Sequence, residues 1–150
     1  MRARLVVLAT RALVLGFCIA GCVGPARTPT DYRLKARNSA KAALSAVATS
    51  ELAARLVREK AAFSGYVAVV LDSAERDVTS VESTFSSIQS PSAASDQLRD
   101  RVGQVLNDAV DTISAMRIAA RRDEWKNLLR AADELPKLSD KLQKLTELSA

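Results

Sequence analysis

The chain contains no histidine, which removes the commonest general base and the commonest transition-metal ligand. The absence also excludes the Glu-x-x-His pattern that places di-iron centres inside helical bundles. Serine and threonine are plentiful, but without an imidazole partner, and none stands in a Gly-x-Ser-x-Gly elbow. A Ser-Lys dyad stays open by residue type alone, although no Ser-x-x-Lys occurs beyond residue 22. Two carboxylate pairs, Asp72 with Glu75 and Asp108 with Asp111, are three residues apart. Each pair would share one helix face and could grip a hard cation. Asp72 lies two residues from Val70 and Asp111 two from Ala109, so both pairs are expected to face solvent with no metal held. The densest cationic group is Arg117, Arg121, Arg122, Lys126 and Arg130. Presented together, these five would make a basic contact patch for anionic headgroups or an acidic partner. Asp123, Glu124 and Asp133 interleave with them, and the competing expectation is an ordinary salt-laced helical surface. The chemistry-bearing residues thus point to a chain that is not an enzyme and carries no diffusible cofactor.

The net charge of +5 reads as basic. Three of the 22 basic residues, Arg2, Arg4 and Arg11, stand in the first 21 positions, which contain no acid. The remaining 19 face 17 acidic residues, a balance of +2. That is no nucleic-acid footprint, and aromatics at 4% are too sparse for a base-stacking surface. Cys18 and Cys22 are the only cysteines. If the first 21 residues are removed, no disulfide remains for the folded part to rely on.

Those 21 residues have the organisation of an export signal. A basic segment spans 1–11, an apolar segment spans 12–20, and Gly21 and Cys22 follow. The apolar run is interrupted by Arg11 and is too short for the roughly 20 residues that a membrane span needs. Small residues at Ala20 and Gly21 let a peptidase approach the backbone. Ile19, Ala20, Gly21 and Cys22 together resemble the lipobox of bacterial lipoproteins. The resemblance implies covalent lipid on the Cys22 thiol, cleavage before Cys22, and attachment to the outer side of the cell membrane. Maturation in that class adds at least two acyl chains, enough for lasting attachment. An Asp directly after the acylated cysteine is associated with inner-membrane retention in proteobacteria. Val23 stands there, so an outer-membrane address is open if the source has one. Residues 23–30 hold two prolines and a glycine and read as an extended tether of at most roughly 25–30 Å.

The elements that must carry the candidate residues are helices, because only two glycines and two prolines fall between 31 and 150. Helix 1 is expected over about 31–61, capped by Thr30 or Asp31, with Leu34, Ala40, Leu44, Val47, Leu52 and Leu56 inward. Gly65 is expected to take the left-handed conformation that ends it. Helix 2 carries the cleanest seam: Phe63, Val67, Val70, Ala74, Val78, Val81, Phe85 and Ile88. The serine-rich stretch 86–95 with Pro91 stops it. Helix 3 starts near Ser92 or Ser95 and buries Leu98, Val102, Val105, Ala109, Ile113, Met116 and Ala120. Asp123 caps helix 4, which buries Leu128, Ala132, Leu135, Leu138, Leu142, Leu145 and Leu148 and is kinked by Pro136. Trp125 plugs the core at the helix 3–helix 4 turn or, alternatively, sits at a membrane interface. The fold class is all-α, an antiparallel up-and-down four-helix bundle over 31–150. One continuous helix over 31–88, bent at Gly65, is the rival.

The bundle looks like the uncharacterised helical lipoproteins and secreted proteins of actinobacteria. The likeness rests on 66–75 with its Asp72, Ser73, Ala74 and Glu75, on 85–91, on Leu98 and Arg99, and on 117–122. It implies no activity. The functional expectation is a membrane-anchored extracytoplasmic helical module, non-enzymatic, that makes protein or cell-envelope contacts. The alternative is a sensor or carrier holding a small ligand in a gap beside the alanine-rich helix 1. A carrier requires an enclosed apolar pocket, and a contact module requires a filled core with an exposed apolar patch.

Overall fold

A computed structural model of the chain describes residues 26–148. Residues 1–21, the lipobox with Cys22, and the first tether positions lie outside the described residues. Five helices follow one another: α1 (Pro29–Arg58), α2 (Ser64–Ser86), α3 (Ala93–Arg121), α4 (Trp125–Ala132) and α5 (Leu135–Thr146). The first three run up, down and up. Helices α4 and α5 together make the fourth, descending arm. The antiparallel order is fixed by cross-helix pairs. Tyr32 at the start of α1 meets Phe85 at the end of α2, with ring centroids 5.6 Å apart. Arg99 near the start of α3 donates to the Ser86 carbonyl at the end of α2. The chain is an all-α bundle, and no strand occurs among the described residues.

Helix α1 begins earlier than its apolar period suggests. Thr28, not Thr30 or Asp31, is the N-cap: its hydroxyl accepts from the Asp31 amide at 3.1 Å, and Pro29 occupies the first turn. A proline there loses no helical hydrogen bond and is already set to a helical φ. Residues 29 and 30, expected in the tether, therefore belong to α1. Ala26, also expected there, is buried in the core cluster.

Alanines form the inner face of α1. Tyr32, Ala36, Ala40, Ala43, Val47, Ser50 and Ala54 recur by threes and fours and are buried. The leucines expected to face inward do not all do so, since Leu34 and Leu52 are exposed. The small face has a packing consequence: α1 touches all four other helices, including α3 across the diagonal, while α2 has no substantial contact with α4 or α5. The bundle is thus flattened along the α1–α3 diagonal, as close backbone approach between alanine-rich faces permits. Buried Ser50 causes no deficit, because its hydroxyl donates to the Ala46 carbonyl at 2.9 Å.

Of the expected α2 seam, Val67, Ala74, Val78, Phe85 and Ile88 are buried together with Leu71, Val70 and Val81 are only partly buried, and Phe63 is exposed. Every α3 position expected inside is buried, as are Leu128, Ala132, Leu135, Leu138, Leu142 and Leu145 of the fourth arm. Each fully buried leucine contributes about 1.5–3 kcal/mol relative to exposure. Pro136 does more than kink that arm. Helix α4 ends at Ala132, and α5 restarts at Leu135 with the proline in its first turn. Trp125 is half-buried against the core, consistent with a plug at that end.

Two helix ends use a device the sequence did not announce. At the end of α1 the Ala61 amide donates to the Leu56 carbonyl at 2.9 Å and the Lys60 amide to Val57 at 3.1 Å. At the end of α3 the Glu124 amide donates to Ala119 at 2.9 Å and Asp123 to Ala120 at 3.2 Å. Both are Schellman closures, which place the residue after the C-cap in the left-handed region. The occupants are Lys60 (φ 55°) and Asp123 (φ 56°), where glycine is the usual choice. Gly65 lies inside α2 and has no positive φ. Asp123 therefore closes α3 rather than capping α4, whose N-cap is Glu124 without a side-chain bond. The break over 59–63 also rules out one helix across 31–88.

Candidate functional site

Three of the four carboxylates in the expected pairs, Asp72, Glu75 and Asp108, are held in salt bridges, and Asp111 is in none among the described residues. Glu75 on α2 accepts from Arg117 on α3 twice, from Nε at Oε2 and from Nη2 at Oε1, the latter at 3.2 Å. Both side chains are about one-fifth exposed, at 19% and 20%. The hydrogen bond to Glu75 raises the Arg117 pKa above its ordinary value, ahead of an opposing effect of burial. Asp72 accepts from Arg76 one turn along α2 and from Arg121 of α3 at 3.4 Å. Asp108 is met by Lys141 of α5 at 3.2 Å. Glu75 therefore does not face solvent freely, as the seam argument expected. No group of three or more acidic or sulfur ligands able to hold a metal occurs among the described residues.

These pairings divide the basic cluster. Arg117 and Arg121 turn toward the acids of α2, whereas Arg122, Lys126 and Arg130 are exposed. Arg117 is held in the α2–α3 groove by Glu75, while Arg121 reaches Asp72 with its side chain still 59% exposed.

What the structure does bring together is the end of the bundle farthest from the start of α1. Helix α1 is about 45 Å long at 1.5 Å per residue, and the α1–α2 turn at its far end carries exposed apolar side chains. Phe63 is 75% exposed, Val69 is 69% exposed, and Tyr66 is about half exposed. Phe63 is the N-cap of α2 and its ring lies 6.2 Å from that of Tyr66 in the first turn, with Val69 exposed one turn further along. Sequence periodicity missed this because Phe63 falls in step with the seam; only the exposure of the first turn of α2 distinguishes it. Beside the same turn lies a groove of about 480 Å³, lined by Val57, Arg58, Lys60, Ala62, Trp125 and Leu129. Arg58 at its rim is paired with Asp133 at 3.3 Å.

The other end holds Tyr32, fully buried, whose hydroxyl has no hydrogen-bond partner. Burial raises its pKa, with Arg99 opposing and Asp96 and Asp100 adding to the effect. Within the core, Ala36, Ala40 and Ala43 on α1 have no exposed surface. Three further grooves are mixed-charge surface features lined by α2–α3 or α3–α5 residues. No helix among the described residues is long and apolar enough to cross a membrane. The chain matches no known family, no curated protein and no solved structure.

Proposed function

We propose that this chain is a membrane-anchored extracytoplasmic lipoprotein whose helical bundle works without catalysis, by contact with another protein of the cell envelope. The observation that carries the contact reading is the pairing of a filled core with exposed Phe63, Tyr66 and Val69 at one end. Scattered exposed apolar residues are common, but three at the start of one helix, two of them aromatic, are what a docking anchor requires. The anchor reading is supported by the Ile19, Ala20, Gly21 and Cys22 sequence. The two parts agree in geometry. The tether joins α1 at its start, and the apolar face lies beyond its end, so lipid at Cys22 would hold the contact face away from its own membrane. The face would then meet soluble or opposing envelope components.

The test places a photo-crosslinking amino acid at Val69 and, as a control, at exposed Asn107 on α3, in cells of the native host. A discrete adduct from position 69 that is absent from 107 and lost in Phe63→Ser/Tyr66→Ser supports the proposal. No adduct at either position, or the same adduct from both, refutes it.

A further inference from the structure

We infer that the groove beside Trp125 binds a single-chain amphipathic anion, with its apolar chain on Trp125, Leu129, Val57 and Ala62 and its carboxylate at the Lys60 ammonium. The inference goes beyond the contact reading and needs neither the lipid anchor nor the Phe63 face. Four observations carry it. The lining is apolar apart from Arg58 and Lys60, and among the four grooves this one has cations and no carboxylate. Of the neighbouring acids, Asp133 pairs with Arg58 and Glu124 accepts from Asn127 at 2.8 Å, while Glu59 and Asp123 are exposed and line none of the groove. The Lys60 side chain, by contrast, has no ion pair or hydrogen bond among the described residues. A volume of about 480 Å³ falls within the roughly 300–1,000 Å³ of clefts that hold small ligands.

The backbone adds an independent argument. The described residues contain two non-glycine positions with positive φ, Lys60 and Asp123. The first lines this groove, and the second lies two residues before Trp125, which also lines it. A left-handed conformation is unfavourable for a lysine, and such strain gathers where a side chain is needed in place. Glycine would close the turn as well. What lysine adds is an ammonium at the mouth of an apolar groove, the complement of a carboxylate or phosphate ester on an alkyl chain.

Trp125 is the sole tryptophan, so its emission reports this groove. The experiment titrates sodium decanoate below micelle formation into the full chain carrying Cys22→Ala, which removes the acylated cysteine. Decyltrimethylammonium and phosphatidylglycerol vesicles free of fatty acid serve as comparisons. Decanoate should shift the emission saturably with one site. Lys60→Gln and Lys60→Gly should each weaken binding about 3- to 10-fold, and Lys60→Arg should retain it. Lys60→Gly should do so without lowering the unfolding temperature, which separates lost recognition from lost folding. Equal binding of decyltrimethylammonium, an unsaturable response, or unchanged affinity in Lys60→Gln overturns the inference. So does a shift produced by the vesicles but not by decanoate, which would assign the surface to a bilayer.

Discussion

Replacing Lys60 by glycine should make the protein more stable, although it deletes a whole side chain. Lys60 stands at φ 55°, and its turn is closed by backbone bonds from its own amide to Val57 and from Ala61 to Leu56, which glycine preserves. Among the described residues its side chain forms no ion pair or hydrogen bond that would be lost. A left-handed L-residue costs about 1–2 kcal/mol. Glycine returns roughly 0.5–1 kcal/mol of that through its larger unfolded-state entropy. The net gain is about 0.5–1 kcal/mol, or roughly 2–4 °C in melting temperature for a domain of this size. Glu59, one residue earlier, is the internal control: its φ of −81° and ψ of −2° are right-handed. Glu59→Gly should therefore lose about 0.5–1 kcal/mol. Thermal and urea unfolding followed by circular dichroism would read both. A fall or no change in Lys60→Gly, or equal shifts in the two variants, would refute the assignment of strain to the α1 turn.

The Arg117–Glu75 pair should matter more than its surface neighbour. Arg117→Ala leaves a largely buried carboxylate unpaired and should cost about 2–3 kcal/mol in urea unfolding. Arg76→Ala, whose side chain is 76% exposed, should stay within about 0.5 kcal/mol. Tyr32→Phe removes a buried, unpartnered hydroxyl and should stabilise by about 1 kcal/mol, measured at neutral pH. The same phenol sets a pH dependence. Its folded pKa is raised above the ordinary 10.0, so its contribution is fully present below pH 10 and is lost as pH rises through the folded value. Stability against pH for wild type and Tyr32→Phe should therefore run parallel, separated by that neutral-pH offset, up to about pH 10 and move further apart above it; a constant separation would remove burial as the cause. On α1, Ala40→Leu should cost about 1–3 kcal/mol by overpacking, while Leu52→Ala at a half-exposed site should change stability by no more than about 0.5 kcal/mol. The reverse order in calorimetry would contradict the alanine face.

The all-α bundle, the order of its arms and most of the core were legible because apolar residues on α2, α3 and the fourth arm recur by threes and fours, although Pro136 divides that arm into two helices. Helix α1 was read less well. Its periodic leucines pulled the predicted face toward Leu34 and Leu52, while the buried face consists of alanines whose packing depends on how near α3 comes. Chain ends were the other weakness. Thr28 caps α1 from inside the supposed tether, and Asp123 takes the left-handed position that sequence rules reserve for glycine, which made it look like an N-cap. The basic cluster was visible as a count but not as a surface. Arg117 and Arg121 are drawn to Glu75 and Asp72 some 42 and 49 positions away in sequence, a long-range pairing that no local pattern encodes. The Trp125 groove joins residues near 60 to residues near 127 and was hidden for the same reason.

The central claim, lipid anchorage through Cys22, is tested most directly by intact mass and membrane fractionation of wild type beside Cys22→Ala in a bacterial host. The account predicts that wild type loses residues 1–21, gains acyl mass and pellets with membranes, while the variant gains no acyl mass and loses that attachment. Wild type without acyl mass, released alongside the variant in the soluble fraction, would contradict it.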